Sequence, residues 1–72
     1  MDEKKEVNSV GEQYPIEQAR CRELLKHYHA IGPAGGFGAV MLEGTLKEAD
    51  EAAISGDVVR IVRAFKSMQS WK

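Results

Sequence analysis

The chain has one cysteine, Cys21, and that single residue already removes one way of holding a small protein together. No intrachain disulfide can form, and no cluster of His and Cys offers a structural metal. An excess of charge of either sign is also lacking: ten Lys and Arg against eleven Asp and Glu leave a net charge of -1. A non-specific nucleic-acid binder is usually strongly basic and a DNA mimic strongly acidic, so a nucleic-acid duplex is not an expected partner. Long apolar runs are missing as well. With a charged beginning, MDEKKEV, the sequence leads us to expect neither a signal peptide nor a membrane span, and the lone thiol fits a reducing cytoplasm. What is present is an ordinary globular balance, 43% hydrophobic and 29% charged, in 72 residues. That length allows one domain. Below roughly 70 to 80 residues a single core seldom supplies more than about 3 to 5 kcal/mol, so completion by further copies, a homo-oligomer, is the expectation.

The chain punctuates into three apolar-periodic segments, which predicts an all-α fold. Residues 1–13 are charged and polar without a period and read as a disordered leader, leaving 14–72 as a single helical domain. Pro15 reads as a first-turn proline, with Glu17 suited to the helix dipole and Ile16, Cys21, Leu24, Leu25, Tyr28 and Ile31 as the apolar face. Gly32 followed by Pro33 stops that helix, and the short GPAGG corner turns the chain back as an antiparallel hairpin. The second helix has an inner face of small residues: Gly38, Thr45, Ala49 and Ala52 fall on one line, with Met41, Leu42 and Ala53 beside it. A second corner, Ser55-Gly56-Asp57, caps the last helix, where Val58, Ile61, Val62, Phe65 and Met68 make the richest apolar seam. The expected helices run over residues 15–31, 36–54 and 57–71. Trp71 lies on a flank shared with Ala64 and is expected to pack on a neighbour, for which a partner chain would serve.

Two resemblances follow from these residues. The segment from Ala49, A-x-x-A-A-x-x-G-D-x-x-x-x-x-x-A-F, resembles the helix-turn-helix junction of tetratricopeptide repeats, without that family's tryptophan, Leu-Gly and closing proline signals. It reads as the same solution to a helical hairpin. The longer run YPIEQARCRELLKHYHAIGPAGGFGAVMLEGTL, with AD and SGD further on, is similar to small phage and prophage-encoded proteins of uncharacterised function. No activity comes with that likeness. It implies a phage context, hence the host cytoplasm, and accessory proteins of that setting often blunt host defence by sequestering a nucleotide signal or blocking a host protein.

Chemistry is sparse. Gly32 to Gly38 has neither the lysine of a P-loop nor the strand of a dinucleotide fold. Free N–H groups at a helix start near Gly35, Gly36 and Phe37 are nevertheless suited to an anion, and a tight corner with no ligand accounts for the same glycines. Arg20 and His27 lie two turns apart on one edge of the first helix, and Lys26, Arg60 and Arg63 supply further cations. Phe37 or Tyr28 offers a ring for a base. Arg20, His27, Tyr28, Gly35, Gly36, Phe37, Arg60 and Arg63 are thus the candidate ligand-binding residues, to be brought together between subunits. Cys21 sits on the apolar face and reads as core, since a reactive thiol needs a charged, accessible setting. Glu23 and His27 have metal-compatible spacing but are too few to hold an ion. With no Ser-His-Asp set and no paired carboxylates, no enzyme, cofactor or metal is expected. The leading expectation is sequestration of a small anionic molecule such as a cyclic-nucleotide or related nucleotide immune signal. The alternatives are a helical inhibitor of a host or defence protein and a structural or regulatory phage subunit.

Overall fold

A computed structural model describes the backbone of residues 2–72 and the side chains of residues 10–72. Three α-helices, α1 (Asp2–Ile31), α2 (Gly36–Ser55) and α3 (Val58–Gln69), follow one another with short connections, and the described residues contain no strand. The first connection is a single 3₁₀ turn, Gly32–Gly35, and the second is the pair Gly56-Asp57. Both corners are set by local chemistry. Gly32 has φ 88° and Gly56 φ 73°, the left-handed region where a Cβ is strained, so each helix ends where glycine permits the chain to leave. Asp57 then opens α3 as its N-cap, its Oδ1 accepting from the Val59 and Arg60 amides at 3.1 and 3.2 Å.

Helix α1 starts upstream of the expected proline start. Pro15 lies inside the helix, exposed, thirteen residues after Asp2 begins it, and residues 2–13 are helical backbone. The ring removes one N–H, and the carbonyl it deprives is that of Gly11, on an exposed turn where water can take its place. The 30 residues of α1 set the long dimension of the molecule, 45 Å against 24 and 14 Å for the others.

The core begins at Tyr14. It comprises Tyr14, Cys21, Ala39, Leu42, Leu46, Ala49, Ala52, Ala64 and Met68, so four of its nine members are alanines and only Leu42, Leu46 and Met68 are large aliphatic or thioether side chains. Around it pack the half-buried Leu24, Leu25, Tyr28, Ile61, Phe65 and Trp71. Fully burying a Leu or Met contributes about 1.5 to 3 kcal/mol. A core with three such residues is therefore thin, although close helix approach is what its alanines permit.

The inner face of α2 is turned from the expected one. Ala39, Leu42, Leu46, Ala49 and Ala52 face inward, while Met41 and Ala53 are exposed and Thr45 is at the margin. Leu42 and Leu46 decide this, because they are the bulkiest apolar side chains that one face of α2 can bury together. Ile16, Ile31 and Val58, expected in the seams of α1 and α3, are exposed. Tyr14 takes the inward place at the upstream end instead, stacked on Phe65 with ring centroids 6.2 Å apart and its hydroxyl donating to the Ala49 carbonyl at 2.7 Å. Trp71 finds its neighbour within the chain. Its ring stands edge-on to Tyr28, 6.0 Å between centroids, and its Nε1 donates to Thr45 Oγ1 at 3.2 Å.

Candidate functional site

The residues expected to bind an anion do not converge. Arg20 is half-buried and turned toward α3, bonded to Glu17 at 2.9 Å and donating to the Met68 carbonyl at 2.7 Å, and the Glu17 hydrogen bond raises its pKa further. Arg60 makes a two-pronged contact with Glu48, Nε to Oε2 at 2.7 Å and Nη2 to Oε1 at 3.0 Å, and reaches Glu51 at 3.4 Å. These guanidiniums tie helices to one another, Arg20 α1 to α3 and Arg60 α3 to α2. Arg63 and His27 are exposed on separate helices.

At the glycine corner the amides are partly used. The Gly36 N–H donates to the Pro33 carbonyl, which the preceding 3₁₀ turn places there. Gly35 is buried, and an added Cβ would collide with the Tyr28 carbonyl. A Cβ at Gly38 would lie 3.2 Å from the Tyr28 ring. The corner is thus glycine-rich because α1 and α2 approach closely at Tyr28, the packing account weighed from sequence. Tyr28 is occupied by that packing and by Trp71. Phe37 stands apart: it is 80% exposed.

Two surfaces remain. The first is apolar. Phe37, Val40, Met41, Gly44 and Glu48 recur at three and four spacing along the outer side of α2, and the first three are large exposed hydrophobics. Beside them a groove of about 370 Å³ runs between α2 and α3, lined by Val40, Met41, Gly44, Thr45, Glu48, Ala64 and Ser67. A second apolar patch, Ile54, Val58 and Val59, sits at the α2–α3 corner.

The other surface is charged. A groove of about 520 Å³ between α1 and α2 is floored by Leu25 and Leu46 and edged by Arg22, Lys26, His29, Glu43, Lys47 and Asp50. Two cross-helix contacts bracket it, the Arg22–Asp50 ion pair at 2.7 Å and His29 Nε2 beside Glu43 Oε2 at 3.4 Å. Gln18 adds a hydrogen bond to Asp50 at 2.8 Å. Between the brackets Lys26 pairs along its own helix with Glu23 at 2.9 Å, an interaction that lowers the Glu23 pKa, while among the described residues Lys47 has no carboxylate within ion-pair distance. This groove was not foreseen. Its signal was the opposed order of charges, Arg22 and His29 on one segment facing Asp50 and Glu43 on the next once the hairpin antiparallel register is drawn.

Cys21 is fully buried, its Sγ 3.7 Å from the Met68 carbonyl, and burial pushes its thiol pKa up from 9.0. That is a core residue, as its place on the apolar face indicates. Among the described residues no three His, Cys, Asp or Glu side chains gather as a metal site requires, and no helix is long and apolar enough to cross a membrane. No protein-family model, curated protein or solved structure matches this chain.

Proposed function

We propose that this chain works without catalysis as a small helical interaction module, docking on protein surfaces that include further copies of itself. The observation that carries the reading is the outer stripe of α2. Phe37, Val40 and Met41 are exposed together on a chain whose fold has already partnered Arg20, Arg22 and Arg60 internally. Contiguous exposed apolar patches on a small protein mark interaction sites. Of the sequence expectations, this favours the protein-directed ones over ligand sequestration, and the likeness to phage proteins makes a host or defence factor the natural heterologous partner. Analytical ultracentrifugation over a concentration series tests the self-association part. The average mass is expected to rise above 8.0 kDa in the micromolar range, and a chain that remains at that mass to millimolar concentration overturns it.

Sequestration of an anionic molecule keeps one supporting observation, the α1–α2 groove, where Lys26 and Lys47 stand between the Arg22–Asp50 and His29–Glu43 contacts above an apolar floor. The site would then be this groove and not the glycine corner. Calorimetric titration with cyclic dinucleotides and ADP-ribose decides it: heat that disappears in Lys26→Glu and Lys47→Glu supports this second reading, and no heat at millimolar ligand removes it.

A further inference from the structure

The α1–α2 groove is built from one pattern used twice. Arg22, Leu25, Lys26 and His29 on α1 and Glu43, Leu46, Lys47 and Asp50 on α2 follow the same three and four spacing, so each helix gives the groove one face. The Arg22–Asp50 ion pair and the His29–Glu43 contact fix the antiparallel register. In that register Lys26 stands level with Leu46 and Lys47 with Leu25, one cation on each wall beside the floor leucine of the other. A lysine so placed lays its stem along apolar surface and keeps its ammonium in water at the rim.

We infer that this groove takes a small amphipathic monoanion, its carboxylate or similar head held between Lys26 and Lys47 and its apolar body lying on Leu25 and Leu46. The inference uses the groove of the sequestration reading and departs from that reading in ligand class. At about 520 Å³ the groove has the size of a small-molecule cleft, and such clefts combine an apolar lining with a few placed charges.

Charge selects a single negative group. With His29 neutral, Arg22, Lys26 and Lys47 against Glu43 and Asp50 leave the lining one positive charge in surplus. Arg22 is taken by Asp50 through two bonds, at 2.7 and 2.9 Å. Lys47 has no carboxylate within ion-pair distance among the described residues, and the bond from Lys26 to Glu23 joins side chains 74% and 66% exposed, a kind of pair weak enough to exchange partners. Glu43 and Asp50 stand seven residues apart at the two ends, about 10 Å, so further negative charges strung along the groove would meet a carboxylate. No Phe, Tyr or Trp lines it, which removes the surface on which a nucleobase stacks. An apolar body on the two leucines is what the floor rewards.

The test titrates the full chain, followed by the Leu25 and Leu46 methyl resonances, with octanoate, butyrate, octyltrimethylammonium and a cyclic dinucleotide, each below any micelle-forming concentration. Octanoate is expected to saturate both methyl shifts at millimolar concentration. Each methylene taken out of water strengthens binding by up to about fourfold, so butyrate is expected to bind at least about tenfold more weakly. Octyltrimethylammonium, with the same tail and the opposite charge, is expected not to saturate. Lys47 is exposed, so Lys47→Glu is expected to keep its helicity by circular dichroism and to weaken octanoate at least about tenfold. Equal binding of octanoate and butyrate, or of octanoate and the cation, overturns the inference, as does a folded Lys47→Glu that binds octanoate unchanged or a wild type that octanoate never saturates. The wild-type comparisons decide the matter even where the variant fails to fold. A cyclic dinucleotide that moves the methyls when octanoate does not leaves nucleotide sequestration standing and removes this inference, and the reverse result keeps this inference and removes the nucleotide.

Discussion

Gly35 and Gly36 adjoin one another, yet they ask different things of the chain. A methyl at position 35 would meet the Tyr28 carbonyl, and at position 36 it would meet nothing within 4 Å. Gly35→Ala is therefore expected to destabilise by about 1 to 3 kcal/mol, the usual cost of overpacking, and Gly36→Ala to stabilise by up to about 1 kcal/mol. Urea denaturation midpoints measure both. The contrast shows what single residues disclosed before the fold was known. Gly32, Gly56 and Asp57 were readable because a left-handed glycine and a capping aspartate act on their immediate neighbours. Gly35 was legible only as unusual, since its reason lies across the hairpin in Tyr28. Tyr14 was missed altogether: its continuation of the 14, 18, 21, 25, 28 spacing was hidden behind the proline that follows it.

Among the elements, α1 departs most from expectation. An interior proline is disfavoured by about 3 kcal/mol relative to alanine, whereas a first-turn proline is tolerated. Pro15→Ala consequently separates the two arrangements. With the helix running from Asp2 through Pro15, the substitution is expected to raise stability by about 1 to 3 kcal/mol and to increase the 222 nm helical signal. No change in either would mean that the helix begins at the proline. The facing of α2 was ambiguous for a different reason. Alanines at 39, 49, 52 and 53 and glycines at 38 and 44 put small residues all around it, so periodicity has little contrast to read. What orients the helix is the company of α1 and α3, which demand Leu42 and Leu46. The groove surfaces, arising only between elements, were beyond a reading of each segment alone.

For the whole molecule, charge sets the pH range of stability. The hydrogen bond from Arg60 holds the Glu48 pKa below its ordinary 4.5, and Lys26 does the same for Glu23. A carboxyl lowered by folding contributes stability above its unfolded value, and that contribution is lost as pH falls through the folded one. At the other limit, burial raises Cys21 above 9.0 and Tyr14 above 10.0, with Asp50 and Glu48 adding to the latter. Their contribution is complete below those values and disappears as pH rises through the raised ones. Thermal midpoints are thus expected to form a plateau between about pH 5 and 9, falling on both sides. Glu48→Gln should flatten the acid limb specifically, and added salt should weaken the pairs behind it. An acid limb unchanged in that variant would show the Arg60 fork to be energetically idle.

Trp71 gives this small assembly of helices a light of its own. It is the one tryptophan in the sequence, and its indole rests on α1 through Tyr28 and on α2 through Thr45 while following α3 directly. Emission excited near the red edge of protein absorbance therefore registers the meeting of all three segments at a single place, independently of how helical each one is. A chain that kept its backbone coiling but let its parts drift asunder would be dark to far-ultraviolet spectroscopy and visible to fluorescence.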